Sequence, residues 1–188
     1  MKKIAIFASG SGTNAENIVR YFTDNQNVKI SLLVSNNPHA GVHDRMNRLG
    51  IPSATFSNQD FADGGIIVKK MEEFQVDWII LAGFLKKIPA TILHNYPGRI
   101  INIHPALLPK YGGQGMYGMR VHEAVVASGE NESGITIHFV NENYDEGRII
   151  FQARCPVLPS DTADDVADKV HALEYKYYPE VIREVLDK

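Results

Sequence analysis

Short apolar runs rich in β-branched residues alternate along this chain with amphipathic stretches of helical length. Ile4 to Ala8, Lys29 to Val34, Trp78 to Leu81 and Ile100 to Ile103 read as strands buried on both faces. Between them Asn14 to Phe22, Gly41 to Leu49 and Asp60 to Phe74 read as crossover helices, each leaving room for a right-handed strand-helix-strand connection. The pattern predicts an α/β fold: a Rossmann-like, mostly parallel central sheet with helices on both faces. After Pro109 the texture changes. Tyr111 to Met119 holds four glycines and no apolar period, which predicts an irregular loop. Gly134 to Val140 and Ile149 to Pro156 read as two more strands, and the polar segment Asn141 to Gly147 between them as a loop or hairpin at the sheet edge. A long helix closes the chain. Thr162 and Asp165 suit a capping box at its start, Val166, Val170, Leu173 and Tyr177 form one stripe, and Pro179 predicts a bend or break.

Composition narrows the function classes. At 188 residues and 44% hydrophobic content, one domain over 1–188 is the expectation. A net charge of −3 offers no global attraction for nucleic acid or for an anionic membrane. Cys155 is the only cysteine, so an intrachain disulfide is excluded. Lys2 and Lys3 precede an apolar run too short for a signal sequence or a membrane span, and a cytoplasmic location is expected. His39 and His43 have the spacing of a metal pair but lack the glutamate of H-E-x-x-H, so they read as surface residues and no metal is assigned.

The first strand runs into Ser9-Gly10-Ser11-Gly12-Thr13-Asn14-Ala15, a glycine turn opening a helix. Such a turn presents free N–H groups to an anion, and a phosphate is the natural guest. The same turn also serves simply to pack helix on strand. A dinucleotide site needs an acidic residue at the end of the second strand, and here that strand ends in Ser35-Asn36-Asn37-Pro38, which favours a phosphate monoester over NAD.

In Ile100-Ile101-Asn102-Ile103-His104-Pro105 two polar residues interrupt an apolar run with a period of two, so they share one face. Pro105 marks the carboxyl end of the strand, where open α/β sheets bind ligands. An amide donor beside an imidazole suits the oxyanion and proton transfers of acyl transfer. A hydrogen-bonded polar strand end is the competing reading. Asp145, in the polar loop, would favour the imidazolium and raise the pKa of His104 if the loop folds over the strand end.

Together, Gly10 to Asn14, Leu81-Ala82-Gly83-Phe84, Asn102-Ile103-His104-Pro105-Ala106-Leu107-Leu108-Pro109 and Asp145-Glu146-Gly147 resemble the folate-dependent formyltransferase family, in its branch acting on phosphoribosyl-glycinamide. The resemblance spans nearly the whole chain in the same order. It implies transfer of a formyl group from 10-formyltetrahydrofolate, as co-substrate, to the amine of N1-(5-phospho-D-ribosyl)glycinamide in de novo purine biosynthesis. It implies that Asn102 and His104 hold the tetrahedral intermediate, His104 as proton donor, with Asp145 orienting and charging it. Gly12, Thr13 and Asn14 would cradle the phosphate, and Glu174 would meet the ribose hydroxyls. Leu85, Lys86, Lys87 and Ile88 would wall the pterin with Asn102, Asn141, Glu142, Asn143 and Tyr144. The partners are small molecules, with neither nucleic acid nor membrane, and the protein is expected as a monomer or homodimer.

The chain departs from the family pattern at three places. Asp60 aligns with a basic residue that can meet the folate tail, leaving Lys69, Lys70, Lys86 or Lys87 for that task. Ala106 stands where serine is frequent, and the loop Tyr111 to Met119 is longer and richer in glycine. Among rivals, methionyl-tRNA formyltransferase appends a basic domain and formyltetrahydrofolate hydrolase a preceding regulatory one, whereas this chain begins at its first strand and ends after its closing helix. The hydrolase is the nearer rival. A nucleotide-binding module without catalysis, or more remotely a dehydrogenase, would keep the glycine turn.

Overall fold

Ile4, Ala5, Ile6 and Phe7 are wholly excluded from solvent, so the first strand is covered on both faces as its apolar run requires. The computed structural model describes residues 1–188, which form two compact units, Met1–Ile101 and Asn102–Lys188. The first unit contains β1 (Lys2–Phe7), α1 (Thr13–Phe22), β2 (Val28–Ser35), α2 (Val42–Arg48) and β3 (Ser53–Thr55). It continues through α3 (Asn58–Asp63), α4 (Gly65–Glu73), β4 (Trp78–Leu81), α5 (Ala90–Asn95) and the first residues of β5 (Ile100–His104). The second contains the rest of β5, α6 (Met119–Ala127), β6 (Glu132–Phe139), β7 (Ile149–Pro156) and α7 (Ala163–Leu186).

The strand order is β3-β2-β1-β4-β5 in the first unit and β5-β6-β7 in the second, β5 belonging to both. β1 pairs in parallel with β2 and with β4, and β2 with β3; β6 and β7 pair antiparallel. This is the mostly parallel α/β sheet that the alternation of runs predicts. Phe7, Phe61 and Phe84 cluster in the first unit, with ring centroids 5.0 Å apart for Phe61–Phe84 and 5.4 Å for Phe7–Phe84. Phe84 thus anchors the turn that follows β4.

Three features differ from expectation. The helix expected over Asp60 to Phe74 is two helices, because Gly64 takes the left-handed conformation (φ 80°) and ends α3. A Cβ at Gly64 would come within 2.9 Å of the Pro89 ring, so close packing also demands glycine there. Pro179 neither breaks nor ends α7, which continues to Leu186. A proline inside a helix costs about 3 kcal/mol, whereas Val181, Ile182 and Leu186 beyond it are buried, at about 1.5–3 kcal/mol each. Burial wins. The inner stripe of α7 is also displaced: Val166, Val170, Glu174 and Tyr178 are buried, while Leu173 and Tyr177 are only partly covered. The short elements β3, α5 and α6 had no clear periodic signature. Thr162 and Asp165 do form a capping box.

Candidate active site

β5 presents Asn102 and His104 on one face, with Ile103 between them on the other. His104 is buried and its Nε2 donates to the Tyr111 carbonyl at 2.7 Å. A carbonyl only accepts, so in the neutral ring Nε2 carries the hydrogen and Nδ1 the lone pair. Nδ1 faces Asp145 Oδ2 at 3.5 Å, longer than a hydrogen bond. The imidazole therefore lies between two acceptors. Tyr111 holds a left-handed backbone (φ 55°), uncommon for a bulky side chain, so local strain accompanies the aim of its carbonyl.

Asp145 is carried by the β6–β7 connection, also in a left-handed conformation (φ 57°), which aspartate tolerates better than most residues. Its Oδ2 accepts from the Gly113 N–H at 2.9 Å. A Cβ at Gly112 would collide with the Leu108 side chain and lie 3.4 Å from the Asp145 Cβ. A Cβ at Gly147 would strike the Phe139 carbonyl. The glycines of Asp145-Glu146-Gly147 and of the 111–119 loop thus permit the close approaches that put a carboxylate beside His104.

His138 completes the group and sequence reading passed over it. Its Nδ1 donates to the Phe139 carbonyl at 2.9 Å, leaving Nε2 to accept from the Asn102 amide at 3.1 Å. That bond fixes which end of the Asn102 amide faces β6. His138 Nε2 lies 3.6 Å from Asp145 Oδ1, an electrostatic contact rather than a hydrogen bond. Next to it on the same face of β6, Thr136 donates to the Ala106 carbonyl at 2.7 Å and accepts from Leu108 N at 2.9 Å. Thr136 and His138 punctuate Ile135 and Ile137 with a period of two, the same signal that singled out Asn102 and His104. Tyr111 carries no such signal, since its contribution is a main-chain oxygen.

Burial pushes the His104 imidazole below its ordinary value, the Asp145 charge and the Tyr111 carbonyl push it up, and His138 pushes it down again; the net shift is downward. Asp145 has the upward influence expected of it, but desolvation exceeds it. For Asp145 burial pushes upward, yet His138, His104 and the Gly113 N–H together hold the carboxyl below its ordinary value. At neutral pH the pair is a carboxylate beside a neutral imidazole, able to take a proton at Nδ1.

The other predicted residues lie as follows. Gly12, left-handed at φ 78°, precedes α1, whose first residues are Thr13 and Asn14. Leu85, Lys86 and Lys87 are exposed while Ile88 is buried. Asn141, Glu142, Asn143 and Tyr144 are exposed in the β6–β7 connection, and Glu174 is buried on α7. His43 is not a simple surface residue: half-buried, it bonds the Asn37 carbonyl at 3.0 Å and the Ser53 hydroxyl at 3.2 Å. Asp60 closes a capping box with Ser57, which explains an acid at that position.

Residues 2–182 match the family model described as formyl transferase. The chain belongs to the formyl transferase family. Among relatives of this formyl transferase, the phosphoribosylglycinamide formyltransferase of Bacillus subtilis is 37% identical over 99% of the chain and 95% of its own length. The chloroplastic phosphoribosylglycinamide formyltransferase of Arabidopsis thaliana is 41% identical over the whole chain, which spans 66% of that relative's length. The crystal structure of phosphoribosylglycinamide formyltransferase from Streptococcus pneumoniae TIGR4 superposes with a TM-score of 0.88 at 38% identity, over 98% of this chain and 99% of that one. No helix of the formyl transferase is long and apolar enough to cross a membrane.

Proposed function

We propose that this formyl transferase moves the formyl group of 10-formyltetrahydrofolate to the amine of N1-(5-phospho-D-ribosyl)glycinamide, as a step of de novo purine biosynthesis. The observation that carries the reading is the buried His104 imidazole set between Asp145 and the Tyr111 carbonyl, beside an Asn102 amide anchored by His138, in a chain of this family. Relatives that bear this name at 37% and 41% identity support it.

In the proposed reaction the amine attacks the formyl carbon, giving a tetrahedral adduct with an oxyanion and an ammonium. Asn102 donates to the oxyanion, which is worth about 10²–10³ in rate where such a donor is well aimed. His104, neutral beforehand, takes the ammonium proton at Nδ1 and returns it to the folate nitrogen as the C–N bond breaks. Asp145 stabilises the imidazolium between those two moments. The N–H groups of Gly12, Thr13 and Asn14 take the substrate phosphate, and Glu174 takes the ribose hydroxyls. Leu85 to Ile88 and Asn141 to Tyr144 hold the pterin. We assign the activity to one domain over 1–188, in the cytoplasm, as a monomer or homodimer, with no metal.

The test is a steady-state assay following release of deformylated folate, with and without the phosphorylated glycinamide. Release that depends on the glycinamide is the expected result. Equal release in its absence would make water the acceptor and the protein a hydrolase; no release in either condition would leave a binding module.

A further inference from the structure

The turn after β1 is held from one side by α2. The Gly10 carbonyl accepts from Val42 N at 3.1 Å, and the Ser11 carbonyl accepts from Arg45 Nε at 2.8 Å. The Gly12 carbonyl accepts from Glu16 N at 2.9 Å, which begins α1. In a planar trans peptide the C=O of one residue and the N–H of the next point in opposite directions. Three successive carbonyls held by α1 and α2 therefore turn the N–H groups of Ser11, Gly12 and Thr13 away from those partners, where they can donate to an anion. Two of those constraints are main-chain bonds that any sequence in this conformation can make. The middle one depends on a single side chain, and it sets the direction of the Gly12 N–H.

Arg45 also reaches Glu16 in the first turn of α1, where Nη1 pairs with Oε2. The other carboxylate oxygen pairs with Arg20 at 2.7 Å. Hydrogen bonds from Arg20 and then from Arg45 hold the Glu16 carboxyl below its ordinary value, so it is charged. A carboxylate beside a helix start suits the macrodipole but repels an incoming phosphate. The two guanidiniums offset that repulsion. A Cβ at Gly12 would collide with Val42, and one at Gly41 would be in ordinary contact with the Ser11 Cα at 3.6 Å, so α2 lies against the turn and Gly12 is packed too closely for a side chain.

We propose that Arg45 is a positioning residue for the phosphate of the substrate: it fixes the Ser11–Gly12 peptide through the Ser11 carbonyl and neutralises Glu16, without touching the phosphate itself. This rests on the phosphate reading of the turn given above. Arg45→Met removes both actions, Arg45→Lys keeps the charge but not the planar fork, and Glu16→Gln removes the carboxylate while keeping the bond to Ser11.

The test uses the full chain in the formyl-transfer assay, with inorganic phosphate as a competing ligand and thermal melting in parallel. In Arg45→Met, KM for the phosphorylated glycinamide and the inhibition constant of phosphate are expected to rise together by about tenfold, the scale of one charge-assisted contact. KM for the folate and kcat are expected to stay within about threefold. Arg45→Lys, which also serves if the methionine variant does not fold, falls between wild type and Arg45→Met, and Glu16→Gln leaves KM within about twofold or lowers it. Uniform losses in kcat and both KM values, or a rise in KM without a matching rise in the phosphate constant, would overturn the proposal. So would a rise in KM for Glu16→Gln as large as that for Arg45→Met. Failure of the wild-type protein to transfer formyl at all would instead overturn the functional reading on which it rests.

Discussion

The glycine turn and the His104 group solve different problems with different parts of the chain. The turn is contiguous, Ser9 to Asn14, and the phosphate contacts proposed for it are main-chain groups whose directions are set by carbonyl contacts to α1 and α2. The His104 group gathers side chains from positions 102, 104, 138 and 145; His104 and His138 are buried, and for His104 desolvation outweighs the Asp145 charge and keeps the ring neutral. A main-chain site tolerates substitution of most of its side chains but not of its backbone geometry. A side-chain site behaves in the opposite way: each substitution removes a specific group while the backbone can stay as it is.

The sharpest break in that contrast is His104→Ala. It removes the proposed proton carrier and is expected to lower kcat by about 10²–10⁴, with KM for the phosphorylated substrate nearly unchanged; equal losses in both constants would contradict the separation of roles. Asp145→Asn follows. It is expected to lower kcat by roughly 10²-fold, the lower end of acid–base effects, and to shift the pH profile in a defined direction. In the wild type, burial holds the His104 pKa below its ordinary value and the Asp145 charge partly offsets it. Removing that charge lowers the pKa further, so the acid limb of kcat/KM moves to lower pH; an unchanged or raised limb would mean that Asp145 acts by shape alone.

Gly147→Ala tests the backbone that supports the side-chain group. Its methyl meets the Phe139 carbonyl, and a loss of about 1–3 kcal/mol in unfolding free energy should be accompanied by a fall in kcat, read by denaturant melts and the transfer assay. His122 offers a pH test on a residue with no part in the proposed reaction. Burial, then the nearby His171 and His104, lower its pKa to about 4. The unfolded chain takes up that proton at the ordinary value near 6.5, so stability from this residue is full above 6.5 and declines as pH falls toward 4. In His122→Asn the denaturant midpoint should lose part of that dependence. Smallest is Thr162→Ala, which removes the cap of α7 and should cost about 1 kcal/mol with KM and kcat unchanged.

Much of the fold was legible because parallel strands covered on both faces are written as unbroken apolar runs: β1, β2, β4 and β5 fall within two residues of their expected ends. The short β3, α5 and α6 were not, since three to nine residues carry too few periods to stand out. Of the candidate site, Asn102 and His104 were visible as polar interruptions of a strand. His138 carries the same mark on β6 and was passed over. Pro179 shows the limit of a local rule, because the residues packed beyond it keep α7 intact.

The sequence by itself determined the α/β alternation, the glycine turn and the pairing of Asn102 with His104 on one strand face, because these depend on neighbours within a few residues. The tertiary structure alone decided that His104 is neutral, that Tyr111 offers it a carbonyl and that His138 steers Asn102. Each of these depends on burial and on contacts across 7 to 36 residues of chain, where distance in sequence carries no information about distance in space.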